Sequence, residues 1–470
     1  MRSRVRGVEK RFRNQKLLVG GIDGDLSGGS VLAAGSDTPR VLADWTALIN
    51  GDSVINLAAF LSNSRVPGVT DDTAAFNALT DEVRDRFEAG AGGHNIYDVC
   101  AVIPPGTYSV SSWDLTGLLG RTVHIVGCGA RLTANTPGLN IIDALGSRWL
   151  KFYGLKTYSP PGVLALAGLQ LGPKGTETCG NNALNDCDFL GHYTRAAYAN
   201  LASETTYAKG CAFQNLHSSG YAAIGDGFSR FLPESEYVTV TRRNGNALSL
   251  TNNRHYSCQF RQEGGGAHAI FACNTQSWAW DSNCYFLSFT GAPFHLYGTS
   301  ARRNQGMQIA GLFETALNFS PNTGIDYCFE LDGDGTGTAI DGFTLDTFLP
   351  HCAVAVFHNS GESAYRISGA SLKIVGLSES AAVWFDGMSG DSIDGEIWTR
   401  QAAKLNLDDI SKFTGVVHVN DISGMGMPVD GAYTLLDTTN KTLTFAGVRT
   451  SDPAVAGQWW DNAGTLTKSA

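Results

Sequence analysis

Hydrophobic positions recur along the middle of the chain with a spacing that predicts short, stacked strands. Four segments place phenylalanine two residues after cysteine, and they begin 24, 47 and 26 residues apart. The segments are Asp186–Phe189, Gly210–Phe213, Ser257–Phe260 and Asn283–Phe286. Residues two apart point to the same side of a strand, so a cysteine row and a phenylalanine row should both face inward. The interval of 47 is close to two units, and we expect Glu236–Thr241, where valines alternate, to fill the missing one.

A second pattern continues where the first stops. A series of Ile-x-Gly tripeptides follows at intervals of 31, 27, 26 and 29 residues. The tripeptides are Ile309–Gly311, Ile340–Gly342, Ile367–Gly369, Ile393–Gly395 and Ile422–Gly424. One short strand per unit at this period is typical of a β-solenoid, and the leucine framework or long helices of other repeats are missing. We predict an all-β, right-handed, single-stranded parallel β-helix of about eleven rungs.

The residues before the solenoid predict a head with a capping helix. Asp71 or Thr70 can cap a helix whose apolar stripe is Phe76, Leu79, Val83 and Phe87 and which Gly90 ends. Such a helix would cover the open end of the first rung. We predict four parts: an N-terminal arm and attachment segment (1–50), the capping helix and first rungs (51–130), the β-helix body (131–428) and a small C-terminal β segment (429–470).

Composition and charge exclude several classes of protein. With 43% hydrophobic and 17% charged residues the chain is too apolar for a disordered protein, and its net charge of -10 argues against nucleic acid as a partner. No apolar run is long enough for a membrane helix, and none follows the basic start, so we expect neither membrane insertion nor a signal peptide. Seven cations and one acid lie in the first sixteen residues, which indicates a solvated terminus or a segment that docks on an acidic protein.

Metal and cofactor signals are weak. The ten cysteines lack a CxxC or His/Cys cluster, so we interpret them as reduced core thiols, with a disulfide or a metal site as the alternatives. Asp332–Gly337 resembles half of an EF-hand loop, but Phe343 at the twelfth position cannot bind calcium, and a Gly-Asp turn explains the run. We therefore predict no metal and no cofactor.

The start of the chain resembles a known family. Residues 31–44, the strand Val54–Asn56, GVTDDTAAF at 68–76 and IPPGTYSV at 103–110 together resemble the start of bacteriophage tailspikes, in the pectate-lyase-like β-helix superfamily. The usual Gly-Asp-Gly before Val-Thr-Asp-Asp is mostly replaced here by residues 63–67. The resemblance implies a homotrimeric virion protein, assembled in the host cytoplasm and joined to tail or baseplate proteins through its N-terminus. It also implies binding, and often cleavage, of a host capsule or O-antigen.

The candidate catalytic residues come from the spacing of the rungs. A glycosidase needs two carboxyl groups about 5 Å apart for retention or about 6.5–9.5 Å apart for inversion, and neighbouring rungs lie about 4.8 Å apart. Aligning the Ile-x-Gly tripeptides puts Glu314 into an apolar row with Leu345 and Leu372, unless the register shifts by one at Phe313. A desolvated carboxyl group there would suit a general acid. The candidates are Glu314 with Asp341 or Asp346, and in second place Glu263 and Asp281.

Aromatic residues supply the candidate binding surface. Trp278, Trp280 and Tyr285 would stack on sugars if they face outward, and would be core residues if they face inward. The pectate lyase signature Trp-x-Asp-His is incomplete, because Ser282 stands where histidine is expected. We therefore expect a polysaccharide depolymerase that acts as a hydrolase rather than a lyase. The alternatives are a non-enzymatic receptor-binding or structural tail fibre with the same fold, and a secreted cell-wall enzyme.

Overall fold

The computed structural model shows a parallel β-helix preceded by one amphipathic helix. It describes residues 54–89, 98–119, 122–174, 177–227, 231, 250–265, 268–289, 291–298, 303–315, 325–333, 338–349, 352–360, 365–376, 383–386, 388–391 and 394–399, together with strands at 30–31, 40–41, 416–421, 433–437, 442–446, 459–462 and 465–468. The prediction of an all-β, right-handed parallel β-helix is confirmed. The basic arm and Glu236–Thr241 lie outside the described residues.

The strands are short, and turns separate them. The head and first rungs contain β1 (Ser30–Val31), β2 (Arg40–Val41), β3 (Val54–Asn56), the 3-10 turn Leu57–Ala59, helix α1 (Thr73–Ala89), β4 (Val99–Val102), β5 (Gly106–Val110), β6 (Trp113–Asp114), β7 (Val123–Val126), β8 (Ala130–Ala134), β9 (Asn140–Leu145), β10 (Leu150–Tyr153), β11 (Lys156–Ser159) and β12 (Ala165–Gly172). The middle contains β13 (Ala183–Asn185), β14 (Asp188–Gly191), β15 (Tyr193–Leu201), β16 (Tyr207–Lys209), β17 (Ala212–Asn215), β18 (Tyr221–Asp226), β19 (Leu250–Thr251), β20 (Arg254–Tyr256), β21 (Gln259–Gln262), β22 (Ile270–Cys273), β23 (Thr275–Gln276), β24 (Ala279–Trp280), β25 (Tyr285–Ser288), β26 (Phe294–Gly298), β27 (Asn304–Gln305) and β28 (Gln308–Thr315). The remainder contains β29 (Ile325–Gly333), β30 (Thr338–Asp341), β31 (Thr344–Leu349), β32 (Cys352–Asn359), β33 (Tyr365–Ser368), β34 (Ser371–Gly376), β35 (Val383–Asp386), β36 (Met388–Asp391), β37 (Asp394–Thr399), β38 (Val416–Asp421), β39 (Tyr433–Asp437), β40 (Thr442–Ala446), β41 (Trp459–Asn462) and β42 (Thr465–Lys468).

Three parallel sheets run along the solenoid. The large sheet contains 22 strands, the ladder sheet ten and the small sheet six. The ladder sheet has the order β6-β9-β12-β15-β18-β22-β26-β29-β32-β35. The longest column of the large sheet runs from β3 through β4, β7, β10, β13, β16, β20, β24, β28, β31, β34 and β37 to β38. Among the described residues, the two columns of ten and thirteen strands bracket the eleven rungs that we predict.

An aromatic ladder fills the interior, as the cysteine–phenylalanine spacing predicts. Phe189, Phe213, Phe260 and Phe286 stack with ring centroids 5.5, 5.1 and 5.6 Å apart, and all four are fully buried. Phe313 continues the ladder 4.9 Å beyond Phe286. Because identical positions on successive rungs carry the same side chain, each ring contacts the ring above and the ring below it.

The cysteine row lies beside the aromatic ladder. Cys187, Cys211, Cys258 and Cys284 are buried. The Sγ atom of Cys187 donates a hydrogen bond to the carbonyl oxygen of Asn185, 3.3 Å away, and the next two thiols make the same contact two residues back. These thiols therefore belong to the core, which confirms the inward cysteine row.

The interval of 47 residues does not contain a hidden rung. Phe213 pairs directly with Phe260, and on the ladder sheet Ile224 pairs directly with Phe271. The prediction that Glu236–Thr241 supplies a missing rung is therefore wrong. One rung contains a long connection between β18 and β19. Because this connection is nearly as long as one repeat unit, the interval of 47 residues looks like two rungs.

The head confirms the capping helix. Phe76, Leu79 and Val83 of α1 are buried, and the Phe76 ring lies 4.9 Å from that of Trp113 in the first strand of the ladder sheet. Before the helix, the Asp71 side chain accepts a hydrogen bond from the backbone N–H of Thr73 at 3.0 Å. This contact satisfies one of the free N–H groups at the helix start.

Arg65 joins the two motifs that carry the tailspike resemblance. Its Nε donates to Asp72 Oδ1 at 2.7 Å, and its Nη2 donates to the carbonyl oxygen of Thr107 at 2.5 Å. The guanidinium also lies 4.4 Å from the ring centre of Tyr108. A residue in the stretch that replaces Gly-Asp-Gly therefore connects both motifs within this chain.

The C-terminal strands change direction. The pairs β38–β39, β39–β40 and β41–β42 are antiparallel, in agreement with a short C-terminal β region. Within the described part of the chain, no helix has the length and apolar character that a membrane span needs. The four-part division of the chain stays a prediction.

Candidate active site

One outward row of the ladder sheet is titratable along its last four strands. We call this row the outer ladder; from β9 to β35 it reads Asp143, Gln170, Ala199, Ile224, Phe271, His295, Glu330, His358 and Asp386. It faces outward because its neighbours in the strand, such as Phe294 and Leu296 beside His295 or Phe329 and Leu331 beside Glu330, are fully buried. Four successive strands thus present alternating imidazole and carboxyl groups about 4.8 Å apart.

His268 and Glu330 form the first contact on this face. His268 enters just before β22, and its Nε2 lies 3.2 Å from Glu330 Oε2. Its Nδ1 lies 3.1 Å from the carbonyl oxygen of Ala292, which can only accept, so Nδ1 carries a hydrogen. Neither the lone pair of a neutral Nε2 nor a carboxylate oxygen brings a hydrogen to their contact. A hydrogen bond at this contact therefore needs one proton, carried by either the imidazole or the carboxyl group.

The environment of His268 disfavours its cationic form. Burial, with the neighbouring His295 ring 4.7 Å away, lowers the pKa of His268 to about 4. Both side chains of the pair are largely buried, at 17% exposed for His268 and 21% for Glu330. At neutral pH the imidazole of His268 is therefore uncharged, and its Nε2 lone pair faces the carboxyl group of Glu330.

His295 and Asp332 form the second contact. His295 Nε2 lies 3.4 Å from Asp332 Oδ2, and neither ring nitrogen of His295 makes a hydrogen bond with another described residue. Asp332 follows Glu330 by two residues in β29, so both side chains leave the same face of the strand. Two residues along a strand span about 6.7 Å, which falls within the separation that an inverting glycosidase uses.

His358, Asp386 and Tyr327 form the third group. His358 Nδ1 lies 2.7 Å from Asp386 Oδ2, and the ring of Tyr327 stacks on the imidazole with centroids 3.9 Å apart. Burial raises the pKa of Tyr327, and the charges of Asp326 and Asp386 add to this effect. The phenol therefore stays neutral and is an aromatic surface beside the carboxyl groups.

An apolar wall closes one end of the titratable group. Phe231 from the long connection between β18 and β19 lies 5.3 Å from the Phe271 ring, and Tyr221 lies 5.4 Å from it. The Phe271 ring in turn contacts His295 edge-on at 5.2 Å. This wall excludes water from the histidines and strengthens the electrostatic interactions between the groups next to it.

The predicted acid Glu314 does not occupy the row that the sequence suggests. Leu345 pairs with Ile309 and Leu372, whereas the backbone of Glu314 pairs with Leu287. The inward residue of this segment is Phe313, so the shift by one that the sequence left open is the observed register. The Glu314 side chain lies outside the described residues.

The other predicted acids do not join Glu314 in one row. Asp341 lies in the small sheet, with its Oδ2 3.3 Å from Arg303 Nη1. Asp346 lies in the large sheet and is 58% exposed, 3.5 Å from Lys373 Nζ. Since each is held in a surface ion pair on a different sheet, the geometry does not assemble them into one site, and their catalytic role stays a prediction.

The two second-choice acids also have local partners. Glu263 Oε1 lies 2.5 Å from Arg261 Nη2. Asp281 Oδ1 accepts hydrogen bonds from the backbone N–H groups of Ser257 at 2.9 Å and Asn283 at 3.2 Å. Asp281 thus fixes two neighbouring turns, which is a structural task that explains its position.

The two predicted sugar-stacking tryptophans are core residues. Trp278 is 0% exposed and Trp280 is 2% exposed, with ring centroids 4.4 Å apart. Neither offers a ring face to a polysaccharide, so this part of the predicted binding surface is corrected. Tyr285, which is partly exposed, keeps its predicted role as a candidate.

A third sequence pattern, separate from the cysteine and glycine patterns, indicates the outer ladder. Phenylalanine precedes a titratable residue in Phe294-His295, Phe329-Glu330, Phe357-His358 and Phe385-Asp386. The last three pairs are 28 residues apart, which is one rung. An inward phenylalanine fixes the register, and the next residue must then face outward.

No metal centre is evident at this face. Among the described residues, no group of three histidine, cysteine, aspartate or glutamate side chains has the arrangement that a metal ion requires. Asp332 and Gly333, the described part of the Gly-Asp run, belong to β29. The outer ladder and its neighbours present carboxyl, imidazole and phenol groups.

Comparisons with known proteins give no family assignment. No protein-family model matches the sequence, and no curated protein matches it. The fold is similar to PfbA, a surface adhesin of Streptococcus pneumoniae (11% identity over 84% of this chain and 99% of that one, TM-score 0.49). It is also similar to the tailspike gp49 of Acinetobacter baumannii bacteriophage Fri1, a capsular polysaccharide depolymerase (11%, 87% and 69%, TM-score 0.39). A third is a Yersinia enterocolitica family 28 exopolygalacturonase (11%, 80% and 79%, TM-score 0.43). These likenesses concern the fold and assign no activity.

Proposed function

We propose that the protein hydrolyses a polysaccharide at the outer ladder, with Glu330 as general acid and Asp332 as general base. The observation that carries this proposal is the 3.2 Å contact between His268 Nε2 and Glu330 Oε2, across which a proton can pass between an imidazole and a carboxyl group. A second carboxyl group on the same strand face, about 6.7 Å along, supplies the partner that inversion needs.

The steps follow from the positions of these groups. Glu330 gives its proton to the glycosidic oxygen while the bond from that oxygen to the anomeric carbon breaks. A water molecule attacks the anomeric carbon from the opposite side, and Asp332 takes the proton that the water loses. His268 then helps to restore the proton on Glu330, and the Tyr327 ring beside His358 is a stacking surface for a sugar.

The test is the rate of reducing-end formation by purified variants on a panel of bacterial surface polysaccharides. Glu330→Gln should lower the rate by about 10²–10⁴-fold, because the amide cannot donate the proton. Glu204→Gln makes the same chemical change beside Arg148 and should retain the rate. Full activity in Glu330→Gln would overturn the assignment, and so would a loss confined to the rival variant Glu314→Gln. Products that absorb in the ultraviolet would indicate β-elimination and refute hydrolysis.

We further propose that the protein is a phage tailspike that acts on a host capsule or O-antigen as a homotrimer in the virion. The resemblance of the two motifs joined by Arg65 supports this setting. Light scattering should then give about three times the chain mass of 50.0 kDa, and a monomer would contradict it. Tight binding to a host polysaccharide without any cleavage would favour the receptor-binding fibre instead.

A further inference from the structure

A second surface with a different chemistry lies on the large sheet. Two adjacent outward columns cross four consecutive strands, β10, β13, β16 and β20, and form a grid of eight positions. We call it the tyrosine–cation grid: Lys151, Ala183, Tyr207 and Arg254 in one column, and Tyr153, Asn185, Lys209 and Tyr256 in the other. Neighbouring positions are about 4.8 Å apart across strands and about 6.7 Å apart along a strand.

The grid has three cations and no carboxyl group. Among the described residues, neither Lys209 nor Arg254 forms an ion pair, and Lys151 Nζ donates to the carbonyl oxygen of Asn181 at 2.9 Å. At another position of the same sheet a lysine is neutralised: Lys156 Nζ lies 2.6 Å from Asp188 Oδ2. A patch of unpaired positive charge stands out on a chain whose net charge is -10.

The grid also concentrates exposed aromatic rings. Tyr207 is 36% exposed and Tyr256 is 38% exposed. Trp149, 41% exposed, lies directly before β10 with its ring 5.9 Å from Lys151 Nζ. Ala183 and Asn185 are small, so they form a low strip between the larger side chains of β10 and those of β16.

We infer that the tyrosine–cation grid is a second, non-catalytic binding site for an acidic polysaccharide. Carboxylate or sulfate groups on the sugars would pair with the cations, while the C–H faces of the sugar rings would lie on the tyrosine rings. The occupant follows from charge complementarity: an anionic polymer is attracted to the cations of the grid, whereas the net charge of the chain is -10. A second copy of this acidic chain fits that charge less well. The inference does not rest on hydrolysis at the outer ladder.

The experiment measures binding of the full-length chain to polygalacturonate, which carries one carboxylate per sugar, by calorimetry at low and high salt. Lys209→Gln should weaken binding by about fivefold, and Tyr256→Ala by a similar factor. Lys156→Gln changes the net charge equally on the same sheet but outside the grid, so it should have little effect. Added salt should weaken binding to the unchanged protein and reduce the difference between it and Lys209→Gln.

Three other results would overturn the inference. Equal binding of neutral dextran would remove the role of charge, and equal binding of polyglutamate would remove the role of the sugar rings. A lower mass in light scattering for Lys209→Gln or Tyr256→Ala would show that the grid is an interface between subunits. Loss of all cleavage, with grid binding intact, would refute the proposed hydrolase while leaving this site in place.

Discussion

Replacing Gly225 with alanine tests how tightly the solenoid interior closes around Trp278. Gly225 lies in an inward row of the ladder sheet, between Asn200 and Ala272. A methyl group on Gly225 would lie 2.7 Å from Cε3 of the Trp278 indole and closer still to Cζ3 and Cη2. Ordinary carbon contacts are about 3.5–4.0 Å, so the ring or the backbone must shift by roughly 1 Å.

The indole has little room to move. Its neighbours are the Trp280 ring at 4.4 Å and the His255 ring at 5.8 Å, and the side chain is 0% exposed. Overpacking a core by one methyl group costs typically about 1–3 kcal/mol, and we expect the upper end here because a rigid ring must be displaced. The free energy of unfolding, measured by guanidinium denaturation, should therefore fall by about 3 kcal/mol.

Two comparisons isolate the cause. Gly162→Ala adds the same methyl group where no atom lies within 4 Å, so it should leave stability unchanged or slightly higher. Gly225→Ala combined with Trp278→Leu should cost less than the two single substitutions together, since leucine vacates the space. If Gly225→Ala is as stable as Gly162→Ala, the indole does not occupy the interior, and the sugar-stacking prediction for Trp278 is restored.

Three further outcomes follow. The folded state keeps the pKa of His268 at about 4, below its ordinary 6.5, so it binds fewer protons than the unfolded chain. Stability should fall by up to about 3 kcal/mol as the pH drops from 6.5 to 4, and His268→Gln should flatten this denaturation profile. Asp72→Asn leaves Arg65 without its carboxylate and should cost about 3 kcal/mol in thermal unfolding, against under about 1 kcal/mol for Asp81→Asn at an exposed pair. Phe260→Ala removes one ring of the aromatic ladder and should cost about 3–5 kcal/mol in guanidinium.

The interior rows could be predicted because strand geometry leaves little freedom. When Cys258 faces inward, Phe260 must do so too. The repeat of this pair on four rungs therefore predicts stacked phenylalanine rings from the sequence alone. The helix α1 can also be predicted from the sequence. Its apolar stripe, its N-terminal capping residue and its position before the first rung all indicate that it covers the end of the solenoid. Side-chain identity at a period of two is thus sufficient to predict a core.

The register beyond Gly306 could not be predicted, because glycine has two tasks in this solenoid. Gly306, Gly342 and Gly369 stack in one turn column with φ of 60°, 68° and 63°. Gly311 instead lies inside β28 with φ 139°, where a side chain would meet the carbonyl oxygen of Cys284. Aligning Gly311 with Gly342 joined a strand position to a turn position and brought Glu314 into the wrong row.

The candidate site cannot be recognised from carboxyl groups that interrupt apolar rows. Glu330 does not interrupt such a row; it follows an inward phenylalanine, and its partner His268 enters from a loop that no repeat predicts. The long connection between β18 and β19 that contains Phe231 is likewise mistaken for an extra rung when only the spacing is considered. Contacts between a regular row and an irregular loop depend on the path of the chain, which periodicity does not encode.

Because the two proposed surfaces are separate, long and short substrates should depend differently on the tyrosine–cation grid. The titratable end of the outer ladder lies on β26, β29, β32 and β35 of one sheet, and the tyrosine–cation grid lies on β10, β13, β16 and β20 of another. A long chain that is held at the grid keeps its remaining length at a high effective concentration near the ladder, whereas a short oligosaccharide can occupy only one surface at a time. Loss of the grid should therefore raise KM for long polymers and leave short substrates and kcat unaffected, because the grid contacts no reacting atom.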